Sequence, residues 1–82
     1  MSLLDRLLTP SKMLRGSYID ADFADCDLAG YTLNGNFTGA DFTNADLRNA
    51  RLLGDFTDAN FTGADVRGAV RSGRFTHAVG LD

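Results

Sequence analysis

A single cysteine and a single histidine among 82 residues exclude two classes of small protein. Cys26 has no second cysteine for an internal disulfide, and Cys26 with His77 cannot make the spaced pairs of a zinc site. So little cysteine fits a reduced, cytoplasmic setting. Long apolar runs are missing too. The stretch Leu3-Leu4-Asp5-Arg6-Leu7-Leu8 is too short and too charged for a signal peptide or a membrane span, and a soluble, unprocessed chain is expected. Nor is there an excess of base: 11 acids against 8 bases leave a formal net charge of −3 and no general attraction for nucleic acid, so no nucleic-acid partner is expected.

Groups that carry chemistry are equally scarce. There is no phosphate loop and no convergent pair of carboxylates, and His77 has no serine or cysteine at a meaningful spacing. The chain reads as a non-enzyme, with no catalytic residue, cofactor, metal or small-molecule substrate. Its length suits one domain, and a domain this small buries too little surface to be comfortably stable without regular packing or partners, so oligomerisation is expected from size alone.

What is present is a repeat. Residues 14–32, 33–51 and 52–70 align without gaps at a period of 19, and 71–82 begin a fourth row. Gly16, Gly35, Gly54 and Gly73 share a column, as do Tyr18, Phe37, Phe56 and Phe75, then Ala21, Ala40, Ala59 and Ala78, then Phe23, Phe42 and Phe61. Within a row the large apolar residues Phe37, Phe42, Leu47, Leu52 and Phe56 are separated by steps of five, five, five and four. That beat is neither helical nor a long alternating strand. It describes short sides joined by corners, four sides to a coil, with each large residue above its equivalent in the row before. The internal ladder is expected to comprise Tyr18, Phe23, Leu28, Leu33, Phe37, Phe42, Leu47, Leu52, Phe56, Phe61, Val66 and Phe75.

The segments ADFTN (40–44), ADLRN (45–49), ANFTG (59–63) and ADVRG (64–68) closely resemble the pentapeptide-repeat family, whose motif is Ala, Asp or Asn, Leu or Phe, then two polar residues. The resemblance covers residues 14–78. It implies an all-β fold, a right-handed quadrilateral β-helix of about 3.5 coils, with the central Leu or Phe and the preceding Ala inward. It also implies a binding or scaffolding role, since members are mostly of that kind. The chain departs from the pattern at the four-residue step, where Gly16, Gly35, Gly54 and Gly73 replace the usual alanine. A tight corner is expected there, because glycine permits backbone angles and close approach that a Cβ would forbid.

The two ends differ. Ser2 can cap an amphipathic α-helix with Leu3, Leu4, Leu7 and Leu8 on one face, and Thr9-Pro10 can begin another turn reaching Arg15, with Gly16 as the stop. Residues 1–13 are thus expected as a segment apart from the β-helix of 14–82, a lid over the first coil. The alternative is a helix docking on a partner protein; attachment to a membrane surface, aided by Arg6, Lys12 and Arg15, is not expected from so short and weakly charged a helix. The final row stops after half a turn. It leaves Phe75, Val79 and Leu81 at an uncovered edge, where a homodimer is expected.

Residues 16–47 hold six aspartates and no base, whereas 48–74 hold Arg48, Arg51, Arg67, Arg71 and Arg74, so charge is expected to be polarised along the column. Asp27, Asp46 and Asp65 should stack and set corners by accepting backbone N–H bonds. Thr38, Thr57 and Thr76 should stack and hydrogen-bond along the sheet. Cys26 aligns with Ala45 and Ala64 at an inward, structural position. These features point to a non-enzymatic interaction module that self-associates and meets a protein partner through its ends and faces. The family resemblance supplies an alternative, a DNA mimic binding a type II topoisomerase such as gyrase. Members of that kind are long, strongly acidic dimeric rods, whereas this chain has few coils and bases throughout its second half.

Overall fold

In the computed structural model the described residues are 12–81. Four strands, β1 (Met13–Ser17), β2 (Thr32–Asn36), β3 (Arg51–Leu52) and β4 (Val70–Arg71), form one parallel sheet in the order β1-β2-β3-β4. Each pairing is offset by one repeat: Leu14 faces Leu33, Leu33 faces Leu52, and Leu52 faces Arg71. Isolated parallel bridges carry the same offset around three further sides, through Asn36, Asp55 and Arg74, through Asp22, Asp41, Asn60 and Val79, and through Asp27, Asp46 and Asp65. The chain is therefore a β-helix whose rungs stack without slipping.

Helix does not extend to Arg15. Met13, Leu14 and Arg15 lie in β1, because Leu14 belongs to the column of Leu33 and Leu52 and packs against the core with them. Pairing with β2 outweighs the local helical pattern. Leu3, Leu4, Leu7 and Leu8 lie outside the described residues.

Corners between the short sides are closed by bonds such as Ala40 N–H to Phe37 C=O at 3.0 Å and Ala45 N–H to Phe42 C=O at 3.0 Å. The third residue of each such turn has positive φ, the signature of a type II turn: Asp20 (58°), Asn44 (58°), Asn49 (60°), Asp58 (60°) and His77 (59°), with glycines filling other rows. Asn and Asp adopt this left-handed conformation more readily than other non-glycine residues, which explains their recurrence in these columns.

The remaining corner works differently. Of its glycines only Gly16 has positive φ (102°), and β2 continues through Gly35. There the requirement is space. A Cβ on Gly54 would meet the Gly35 carbonyl oxygen well inside van der Waals contact and lie 2.7 Å from Gly35 N. Glycine lets each coil nest on the one before, and the Gly54 N–H reaches Leu33 C=O at 3.0 Å.

Phe37, Phe42, Phe56, Phe61, Leu33, Leu47 and Leu52 are fully buried, and Leu28 nearly so. Tyr18, Phe37, Phe56 and Phe75 stack with centroids 5.0 to 5.1 Å apart and planes within 7° of parallel. Phe23, Phe42 and Phe61 form a second stack, at 5.2 and 4.9 Å. Tyr18, Phe23, Val66 and Phe75 sit at the ends of their columns and are only partly buried. Among the described residues no helix is long and apolar enough to cross a membrane.

Candidate interaction surfaces

Side-chain oxygens set the corners from outside. Asp or Asn before each central apolar residue accepts the backbone N–H two residues on, as Asp41 does from Thr43 at 2.9 Å and Asp55 from Thr57 at 3.0 Å. Thr38 and Thr57 were expected to bond along the sheet. Their hydroxyls instead donate within their own coil, to Asn36 and Asp55, each at 2.6 Å. The Asx oxygen lies closer than the neighbouring rung and takes both protons. Thr76 has Arg74 two residues before it and so lacks that acceptor.

Where arginine replaces threonine, the same geometry makes an ion pair. Arg48 donates to both oxygens of Asp46, at 2.9 and 2.7 Å, and Arg67 to both of Asp65, at 2.9 and 2.6 Å. The hydrogen bond from Arg67 holds the Asp65 carboxyl down to about 2, with desolvation opposing and the Arg67 backbone N–H assisting. Asp46 is lowered likewise by Arg48, and Asp41 and Asp55 by the hydroxyls of Thr43 and Thr57. Asp27, in the column of Asp46 and Asp65, has Ala29 two residues on and among the described residues receives that backbone N–H alone, at 3.2 Å.

Cys26 is a free thiol packed against the core but only partly buried, since it lies in the first described coil. His77 is an exposed turn residue, its Nδ1 3.7 Å from Asp58. Among the described residues no cluster of three or more His, Cys, Asp or Glu side chains is placed to hold a metal ion.

The C-terminal end is open among the described residues. Phe75 stacks on Phe56 at 5.1 Å, and no described ring covers its other face. Val79 is 52% exposed and Leu81 is partly buried. Arg71, Phe75, Ala78 and Leu81 line an open concavity of about 460 Å³. Arg71 stands in the column of Leu14, Leu33 and Leu52, and its guanidinium crosses the end to donate to the Leu81 carbonyl at 2.9 Å. Its role at this end escaped the sequence reading, although a charge in a leucine column is the signal that marks it. In the rung below, the Phe56 and Asp58 N–H groups pair with the Arg74 and Thr76 carbonyls. Their equivalents, the N–H groups of Phe75 and His77, have no backbone partner among the described residues.

These surfaces surround a repeat that a family model also recognises. The pentapeptide-repeat model matches residues 19–54 and 36–70, with eight copies. No curated protein matches the chain. Tandem Asx-apolar units over more than half of the sequence, wound into a parallel β-helix with stacked Phe and Leu columns, place the chain in the pentapeptide-repeat family.

Proposed function

We propose that this protein is a non-enzymatic interaction module, a rigid right-handed column of about three and a half four-sided coils that associates with a second copy through its C-terminal edge. Phe75 carries the reading. An aromatic ring continuing the core stack, with one face open and backbone N–H groups beside it unpaired, is a template for another chain. A two-fold dimer uses that edge on both copies, so the contact itself closes and does not propagate. We set the gyrase alternative aside, because mimicry of DNA needs a continuous anionic surface and the Asp46 and Asp65 carboxylates are occupied by Arg48 and Arg67.

Sedimentation equilibrium tests the reading. The chain should run as a dimer at about 100 μM, and Val79→Asp, which alters an exposed side chain, should shift it toward monomer. Phe75→Asp should do the same more completely. A wild-type monomer at that concentration, or a dimer indifferent to both substitutions, overturns the C-terminal assignment.

A further inference from the structure

Charge in this molecule is sorted by side of the column, which its order along the chain conceals. The β1–β4 side carries Arg15 and Arg51 outward, with Lys12 in its first rung and Arg71 turned over its last, and among the described residues not one acid. All nine described aspartates lie on the other three sides, against Arg48, Arg67 and Arg74. Arg48 and Arg67 are bound to carboxylates, whereas Arg15 and Arg51 meet none among the described residues, and nor does Arg74 on its own side. Apolar groups accompany these cations. Met13, Thr32, Arg51 and Val70 form one registered outward row, in which Met13 is 41% and Val70 49% exposed, and Arg15 stands beside it opposite Asn34.

We propose that this flat basic side docks an extended acidic segment of a partner protein, with apolar side chains between its carboxylates; the inference rests on reading the chain as an interaction module. Arg15 and Arg51 lie two rungs apart, on the order of 10 Å, close to the roughly 9 Å between every third side chain of a segment in the extended polyproline II form, which all point the same way. Met13 and Val70 occupy the first and last rungs of the same row and supply apolar contacts at either end. Nucleic acid fits less well, because so few cations make few phosphate contacts, the aromatic residue of this side, Tyr31, packs against the core, and the flanking sides are acidic. A second copy placed here by a two-fold axis would set arginine against arginine.

The probe is a short fluorescein-labelled peptide with aspartate at every third position and valine and serine between, titrated with the full chain in fluorescence anisotropy. Binding is expected, weakened about tenfold or more by Arg15→Glu with Arg51→Glu and by raising the salt. The double variant Arg48→Glu with Arg67→Glu makes the same change in net charge on another side and should leave binding within about twofold. No binding of the peptide, equal loss in both double variants, or tighter binding of a single-stranded oligonucleotide of the same length overturns the proposal. Sedimentation of the same samples separates it from the edge reading: a dimer that ignores the peptide defeats this proposal alone, and a monomer that binds it defeats only the C-terminal dimer.

Discussion

The central rungs and the last rung have the same geometry and unequal protection. Phe37 on Phe56 and Phe56 on Phe75 stack at the same 5.1 Å, with planes 6° and 5° apart, yet Phe37 and Phe56 are fully buried while Phe75 is not. Each ring is covered by the rungs on either side; Phe61 ends its stack but still has the Val79–Gly80 rung beyond it, whereas Phe75 has no described rung beyond. Stability in such a solenoid is approximately a sum over rungs and nearest-neighbour contacts. Burial therefore accumulates in the middle, and the free energy still available for association sits at the edge.

The largest effect should come from the nested glycines, where middle and end again differ. At Gly54 even alanine brings a Cβ into the Gly35 backbone, whereas at Gly16 it would meet no described atom within 4 Å and the φ of 102° is what disfavours it. Gly54→Ala should cost more than about 4 kcal/mol, because two backbones must separate, and Gly16→Ala about 1–2 kcal/mol from conformation alone. Urea unfolding of the two variants measures this. Equal losses would mean that the glycine column is held by conformation and not by close approach.

Next in size is the core stack. Phe42→Ala should lose about 3–5 kcal/mol, since the ring is enclosed and its cavity cannot collapse between rigid rungs. Phe75→Ala, truncating a half-covered ring, should lose less than half as much in the monomer. Comparable losses would show that the last rung is as well covered as the middle, which would remove the reason to look for a partner there.

Much of this was legible in the sequence because the period of 19 becomes the pairing register directly: Leu33 faces Leu52, and Gly35 follows Gly16. Other features were not. Asp20, Asp58 and His77 read as solvated positions, and only backbone geometry shows that their column demands a left-handed conformation, since the same polar residues serve both needs. Residues 13–15 satisfied a helical pattern, and the strand form prevails through a partner 19 residues away, which local propensity does not weigh. Charge read along the chain appeared divided between its halves. A coil deals consecutive residues to different sides, so the basic side emerged only once the four columns were assigned. At the edge, Phe75, Val79 and Leu81 were visible as the unfinished row, whereas Arg71 folding over that end required coordinates.

The smallest effect should be on the solvated side, where position along the column matters least. Arg67 is highly exposed yet meets Asp65 with both nitrogens, in the same geometry as Arg48 on Asp46 one rung earlier. The Asp65 carboxyl lies at about 2 in the folded chain against 3.8 unperturbed. A carboxyl lowered by folding stabilises the native state above its unfolded value, and that contribution fades as pH falls from about 4 toward 2. Wild type and Arg67→Ala should accordingly differ slightly in stability at pH 5 and converge near pH 2, with solvent screening keeping the difference small. The Asp65 carboxyl resonance, followed by NMR, should titrate near 2 in wild type and move toward the ordinary value in the variant. An unchanged midpoint would mean that the Arg67 backbone N–H and Arg48, 4.0 Å away, set it without the Arg67 side chain, and that this outward pair has no bearing on acid stability.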